Sequence, residues 1–240
     1  MNLRSAQFVG VGVGPGDPGL ITLKAADYIR SADVISYIEA STGHSQARQI
    51  ASALLDQASS EQRELAILMP MLEERTAANH AYDDAAQKIQ QAIEAGERVV
   101  FLCEGDPLFF GSFAYLLSRL AHNRCEVVPG IASFNAASAA LRQPLAVLNE
   151  SFAVVTGRHA DSVLVSTLQA HDSVVIMKAG RARVRILAAL RHTGREAEAV
   201  YCEYLGRENQ RIITDMSQLA HEAGPYFSLF VVTRPAERKR

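Results

Sequence analysis

Apolar residues in this chain come in short unbroken runs that alternate with longer segments of helical spacing. Residues 6–13, 34–38, 65–69 and 98–103 are apolar runs of strand length. Residues 22–31, 45–55, 73–95 and 110–121 instead return an apolar position every third or fourth residue. The longest of these, 73–95, fills its surface positions with Ala and Gln, which lose little freedom in a helix. Strands alternating with helices predict βαβ units around a mainly parallel sheet.

The second half keeps the alternation and changes its rhythm. Residues 125–128, 152–156 and 173–177 predict strands, and 131–141, 162–168 and 183–191 predict helices, the first built mostly of small residues. Residues 200–204, 211–214 and 228–233 follow with little helix between them. That crowding predicts a mixed, partly antiparallel sheet. The most polar short connection in the middle of the chain is Ala121-His122-Asn123-Arg124. The expectation is therefore two α/β domains, residues 1–122 with a mainly parallel sheet and residues 123–240 with a mixed one.

Composition narrows the class without choosing a function. A chain of 240 residues, 48% hydrophobic and 21% charged, suits a soluble globular protein with a substantial core. A net charge of −2 provides no overall basic field, so nucleic acid is not an expected partner. Cys103, Cys125 and Cys202 are widely spaced with no Cys-x-x-Cys pair, and read as reduced thiols of a cytoplasmic protein. The histidines show no metal-ligand spacing, and no metal is expected. The first apolar run is too short and glycine-rich for a signal peptide or a membrane span. The tail "RPAERKR" predicts a frayed end.

Two turns stand out chemically. Gly14-Pro15-Gly16-Asp17-Pro18-Gly19 follows the first apolar run and matches G-x-G-x-x-G, with Glu39 where an acidic ribose ligand would fall. Pro15 and Pro18 remove two N–H donors from any pyrophosphate cradle. A rigid loop bordering a ligand, or a tight turn with none, reads as well as a nucleotide site. The second turn, Glu104-Gly105-Asp106-Pro107, ends another buried run. Open α/β sheets bind ligands beyond the carboxyl ends of their strands. Gly105 permits close backbone approach, while Asp106 offers an acceptor for a hydroxyl or cationic group or a cap for the next helix. The adjoining Phe109 and Phe110 favour the ligand reading.

Taken together and in order, "VGVGPGDPGLITLKA", "LCEGDPLFFGSF" and "VVPGIASFNAA" resemble the tetrapyrrole methylases, S-adenosylmethionine-dependent enzymes that methylate uroporphyrinogen and corrin precursors. The resemblance spans essentially the whole chain. "GHSQAR", "VIMKAGR" and "PYFSLFVV" are similar to the branch that methylates C20 of precorrin-2 or of cobalt-factor II, between which the sequence does not decide. The resemblance implies two α/β domains of the class III methyltransferase type with the active site in the inter-domain cleft. It further implies a homodimer, a small-molecule tetrapyrrole substrate, S-adenosyl-L-methionine as methyl donor and S-adenosyl-L-homocysteine as product. The first glycine loop, with Gly14 and Asp17, would border the tetrapyrrole and bind no dinucleotide. By motif, the cofactor contacts fall on Pro15, Glu104, Gly105, Asp106, Ala132, Ser133, Met177, Lys178 and Tyr204. Uroporphyrinogen-type relatives carry a glycine where this chain has Glu104, which alters that contact.

Transfer of a methyl from a sulfonium to an electron-rich ring carbon needs alignment and exclusion of water more than a covalent catalyst. Tyr37, Glu39 and His44 follow the second strand and are the candidate bases for the meso proton. Strand-end packing for Tyr37 and a solvated loop for His44 are the competing readings. The substrate's rim carboxylates suit bidentate Arg contacts, and Arg48, Arg158, Lys178, Arg181 and Arg183 are the candidates. Arg181 and Arg183 also read as a solvated first helical turn, although positive charge there opposes the helix dipole. A non-catalytic tetrapyrrole carrier on the same fold, and a nucleotide-dependent oxidoreductase using the 14–19 loop, remain as other classes of function.

Overall fold

The computed structural model describes residues 7–58, 60–70, 75–120 and 125–234, the side chain of Arg75 excepted. Phe8–Gly12 forms β1, every residue of which is buried. It joins Val34–Ala40 (β2), Arg63–Met69 (β3), Val99–Cys103 (β4) and Cys125–Val128 (β5) in a sheet of order β3-β2-β4-β1-β5. Each of these pairings is parallel. Parallel strands need crossover connections, which place helices over both faces and explain why the central strands read as continuous apolar runs.

The crossovers carry α1 (Leu23–Arg30), α2 (Gln46–Ile50), α3 (Ser52–Leu55), α4 (Arg75–Glu94) and α5 (Phe113–Leu117). Val9, Val11, Ile35 and Val100 point to the face covered by α1 and α2, where Tyr28, Ile29 and Ile50 meet them. Phe8, Val34, Val99 and Phe101 alternate to the other face, against Ile89 of α4 and Phe113 of α5. Thr22 opens α1 by accepting the Ala25 N–H at 3.1 Å. The helix expected over 45–55 is broken at Ala51 into α2 and α3. The helix expected from residue 110 starts later because Phe110 adopts a left-handed φ of 55°.

The second half adds α6 (Ser133–Leu141), β6 (Phe152–Thr156), α7 (Asp161–Ala170), β7 (Ser173–Met177) and α8 (Arg183–His192). β8 (Ala199–Glu203), β9 (Arg211–Ile213) and β10 (Ser228–Thr233) follow with only short 3₁₀ turns between them. The sheet order is β6-β7-β10-β8-β9. β6 and β7 are parallel, whereas β10 runs antiparallel to both β7 and β8, and β9 antiparallel to β8. This is the mixed sheet expected from the strand crowding.

The chain divides into two compact units, Met1–Ala132 and Ser133–Arg240. The boundary expected at residues 122–123 lies outside the described residues, and the division itself falls later. β5 hydrogen-bonds along β1 and so completes the first sheet instead of opening the second. Among the described residues no helix is long and apolar enough to cross a membrane.

Candidate functional site

The carboxyl ends of β1 and β4 are stitched together. The Val13 N–H donates to Cys103 O at 2.9 Å. Gly14 and Gly105 then form an isolated antiparallel bridge, the Gly105 N–H donating to Gly14 O at 2.8 Å and the Gly14 N–H to Gly105 O at 3.4 Å. Their φ angles of 81° and 63° lie in the left-handed region that glycine enters without strain. The two turns singled out in the sequence are therefore neighbours. β1 and β4 also send the chain to opposite sides of the sheet, β1 towards β2 and β4 towards β5. The two connections cross, β1's passing β4 and β4's passing β1, and ligand crevices of open α/β sheets lie outside the carboxyl ends of the strands.

The crossing depends on absent side chains. A Cβ on Gly12 would lie 2.5 Å from Gly105 O and 2.6 Å from Gly130 N, and one on Gly130 would overlap Gly105 O. A Cβ on Gly105 would meet only Ile131 O and Ala132 Cα, at 3.8 and 3.9 Å. A cradle lined by backbone thus lies beside Gly105, open to a group that needs close approach. Of the two phenylalanines that favoured a ligand, Phe110 is exposed at 47%, and Leu108 beside them is exposed at 55%.

The acidic residues of the two turns are engaged in different ways. Asp17 accepts the Gly19 N–H at 2.8 Å and opens the short 3₁₀ turn Pro18–Leu20 while remaining exposed. Asp106 accepts the Leu108 N–H at 2.9 Å and, with its other oxygen, the Gly130 N–H at 3.1 Å. Pro15 is buried and Glu104 exposed.

In the second unit, Met177 closes β7, and Lys178 and Tyr204 follow β7 and β8 directly. Lys178 and Tyr204 have φ of 52° and 50°, so among the described residues two of the five non-glycine residues in the left-handed region are ones the resemblance assigns to the cofactor. Such strain, about 1–3 kcal/mol per residue, persists where surrounding structure enforces it and clusters at ligand sites. Both turns lean on the start of β10: the Ala179 N–H donates to Ser228 O and the Tyr204 N–H to Phe227 O. Arg207 stacks over the Phe227 ring at 3.8 Å and approaches the Tyr204 ring at 5.8 Å. Arg158 and Arg181, at the carboxyl ends of β6 and β7, are exposed.

Arg183 corrects the reading of a solvated or substrate-facing first turn. Its side chain is buried, with Nε donating to Glu222 O at 2.8 Å and Nη2 to Ala223 O at 3.3 Å. Nη1 lies 3.8 Å from the buried Glu203 carboxylate, and the guanidinium sits over the Tyr201 ring. These partners satisfy a cation that would otherwise oppose the helix dipole, and Arg183 anchors the 222–225 segment.

Arg48 and Tyr37 are likewise committed within the fold. Arg48 makes a two-pronged pair with Glu64, Nε to Oε2 at 2.7 Å and Nη2 to Oε1 at 2.8 Å, and the Tyr37 hydroxyl donates to the same Oε2. Burial, reinforced by the hydrogen bond to Glu64, pushes the Tyr37 hydroxyl up to about 12, so it is no base at neutral pH. The Arg48 hydrogen bonds hold the Glu64 carboxyl below the usual carboxylate range. Of the other candidate bases, Glu39 lies within β2 and is half-buried, and His44 stands exposed in the turn after it. Sequence reasoning missed Glu64, Gly12 and Gly130. The two glycines had a signal, since each lies within one of the quoted motifs; Glu64 had none.

The chain belongs to the tetrapyrrole (corrin/porphyrin) methylases, whose family model matches residues 7–220. Relatives point further into that family. The chain is 33% identical to a precorrin-2 C(20)-methyltransferase of a Sinorhizobium species, over 94% of each chain. It is 28% identical to the cobalt-precorrin-2 C(20)-methyltransferase of Salmonella typhimurium, over 97% of this chain and 98% of that one. A cobalamin biosynthesis protein of Mycobacterium tuberculosis, CobIJ, is 36% identical over 96% of this chain, which spans only 46% of that protein. Among solved structures, the uroporphyrin-III C-methyltransferase of Thermus thermophilus in complex with S-adenosylhomocysteine matches with a TM-score of 0.69 and 22% identity, over 95% of this chain and 98% of that one. A cobalt precorrin-4 methyltransferase matches at 0.72 and 18% over 94% of each. At these identities the structures show the shared fold.

Proposed function

We propose that this protein is an S-adenosylmethionine-dependent C-methyltransferase that methylates C20 of precorrin-2. The observation that carries the reading is the near full-length likeness to a precorrin-2 C(20)-methyltransferase. The higher identity to that relative than to the cobalt-precorrin-2 enzyme favours the metal-free ring over its cobalt form. A cytoplasmic homodimer belongs to the same reading, and the buried thiols of Cys103 and Cys202 are compatible with a reducing compartment.

The backbone-lined cradle beside Gly105 fits a cofactor held by main-chain groups. In the first unit the backbone of Glu104, Gly105, Asp106 and Ala132 would hold it, with Pro15 on the neighbouring turn. In the second unit Ser133, Met177, Lys178 and Tyr204 are the residues assigned to it by resemblance. When bound, S-adenosylmethionine supplies an electrophilic sulfonium methyl to a nucleophilic ring carbon. The protein's share is to align the carbon and exclude water, effects worth roughly 7–11 kcal/mol when orientation is good. Arg158 and Arg181 are exposed and suited to rim carboxylates. Arg48 and Arg183 already hold internal partners. Glu39 and His44 are the remaining candidates for taking the meso proton.

Calorimetric titration with S-adenosylhomocysteine tests the cofactor half of the reading. Saturable one-site binding, with no fluorescence change on adding a nicotinamide dinucleotide, is the expected result. Absence of S-adenosylhomocysteine binding would overturn the proposal, and binding of the nicotinamide instead would turn it to an oxidoreductase.

A further inference from the structure

Asp106 lies between the two segments that border the cradle in the first unit. One oxygen accepts the Leu108 N–H within its own turn, at 2.9 Å, and the other accepts the Gly130 N–H in the segment after β5, at 3.1 Å. Hydrogen bonds from backbone N–H groups to a carboxylate are about twice as strong as neutral ones. The Gly14–Gly105 bridge already ties the turn to the end of β1. The bond to Gly130 ties the same turn to the residues that lead into Ile131 and Ala132, whose backbone faces Gly105 at 3.8 and 3.9 Å from a Cβ position. Each carboxylate oxygen thus accepts a main-chain N–H.

We propose that Asp106 is a positioning residue: by bracing Gly130 against the 104–106 turn it sets the width of the cradle beside Gly105, and its carboxylate acts through backbone instead of touching the ligand. This rests on the reading of that cradle as the S-adenosylmethionine site. An Asn at this position keeps one acceptor oxygen and turns an NH₂ donor towards the other N–H. Asn supports the local turn well, so Asp106→Asn keeps the Leu108 bond and loses the Gly130 bond. Asp106→Ala loses both.

The test uses the full chain and two readouts, amide hydrogen exchange resolved by residue and titration with S-adenosylhomocysteine. Exchange at Gly130 should quicken roughly tenfold in both variants, the effect expected for losing one hydrogen bond to a charged group. Exchange at Leu108 should quicken only in Asp106→Ala, and amides within β1 and β4 should keep wild-type protection. Affinity should fall roughly tenfold in both variants, following Gly130 and not Leu108. The near-isosteric Asp106→Asn keeps the test decisive if Asp106→Ala fails to fold. Loss of affinity with Gly130 exchange unchanged would make Asp106 a direct contact and overturn the inference. Faster Gly130 exchange with unchanged affinity would overturn it too. A wild-type protein that does not bind S-adenosylhomocysteine would instead sink the reading of the cradle, and the positioning role with it.

Discussion

The Tyr37 hydroxyl shows how a polar group in the middle of a strand can be withdrawn from chemistry by its neighbours. Burial first, then the hydrogen bond to Glu64, raise its ionisation to about 12, and Tyr28 is raised to about 12 in the same way beside Glu126. A raised tyrosine gives the folded state stability that is fully present below the ordinary value of 10.0 and is lost as pH climbs towards 12. Glu64 works in the opposite direction. Its carboxyl is lowered, chiefly by the Arg48 hydrogen bond, so its contribution is present above the ordinary 4.5 and fades as pH falls below it. Spectrophotometric titration should show two tyrosines ionising near pH 12, and Glu64→Gln should move one of them part of the way back to 10. Ionisation of every tyrosine near 10 would contradict this account of the network.

Among the elements, the joint between β1, β4 and β5 governs whether the site forms. Gly43 and Gly130 separate conformational demand from steric demand. Gly43 has a φ of 75° with nothing within 4 Å of a Cβ position, whereas a Cβ on Gly130 would strike Gly105 O. Gly43→Ala should therefore cost about 1 kcal/mol of unfolding free energy, from backbone conformation alone. Gly130→Ala instead costs roughly 1–3 kcal/mol or more by overpacking and should abolish S-adenosylhomocysteine binding. Chemical denaturation of both variants checks the order, and equal losses would show that the glycines are not closely packed at the strand ends.

Much of this scale was legible in the sequence. Buried parallel strands announce themselves as short apolar runs, and the Gly-Asp-Pro turns mark where two of them end. The domain boundary was not legible, because whether β5 joins the first sheet depends on a partner far away in sequence, β1. The same limit hid the role of Arg183. Nothing local distinguishes a solvated helical Arg from one whose guanidinium reaches Glu222 O, Ala223 O and Glu203. The break at Ala51 and the late start of α5 at Phe113 likewise follow from backbone conformations that apolar spacing does not encode.

For the whole molecule, a parallel and a mixed α/β unit place glycine-lined turns, strained Lys178 and Tyr204, and exposed Arg158 and Arg181 at strand ends. The proposed methyl transfer is a reaction in which binding and alignment supply most of the acceleration. The most direct test is incubation of the purified protein with precorrin-2 and ¹³C-methyl-labelled S-adenosylmethionine, read by mass spectrometry and carbon NMR. The account predicts the gain of one labelled methyl on the tetrapyrrole, located at C20, with S-adenosylhomocysteine released in equal amount. A tetrapyrrole that gains no methyl, or gains it at another carbon, would contradict it.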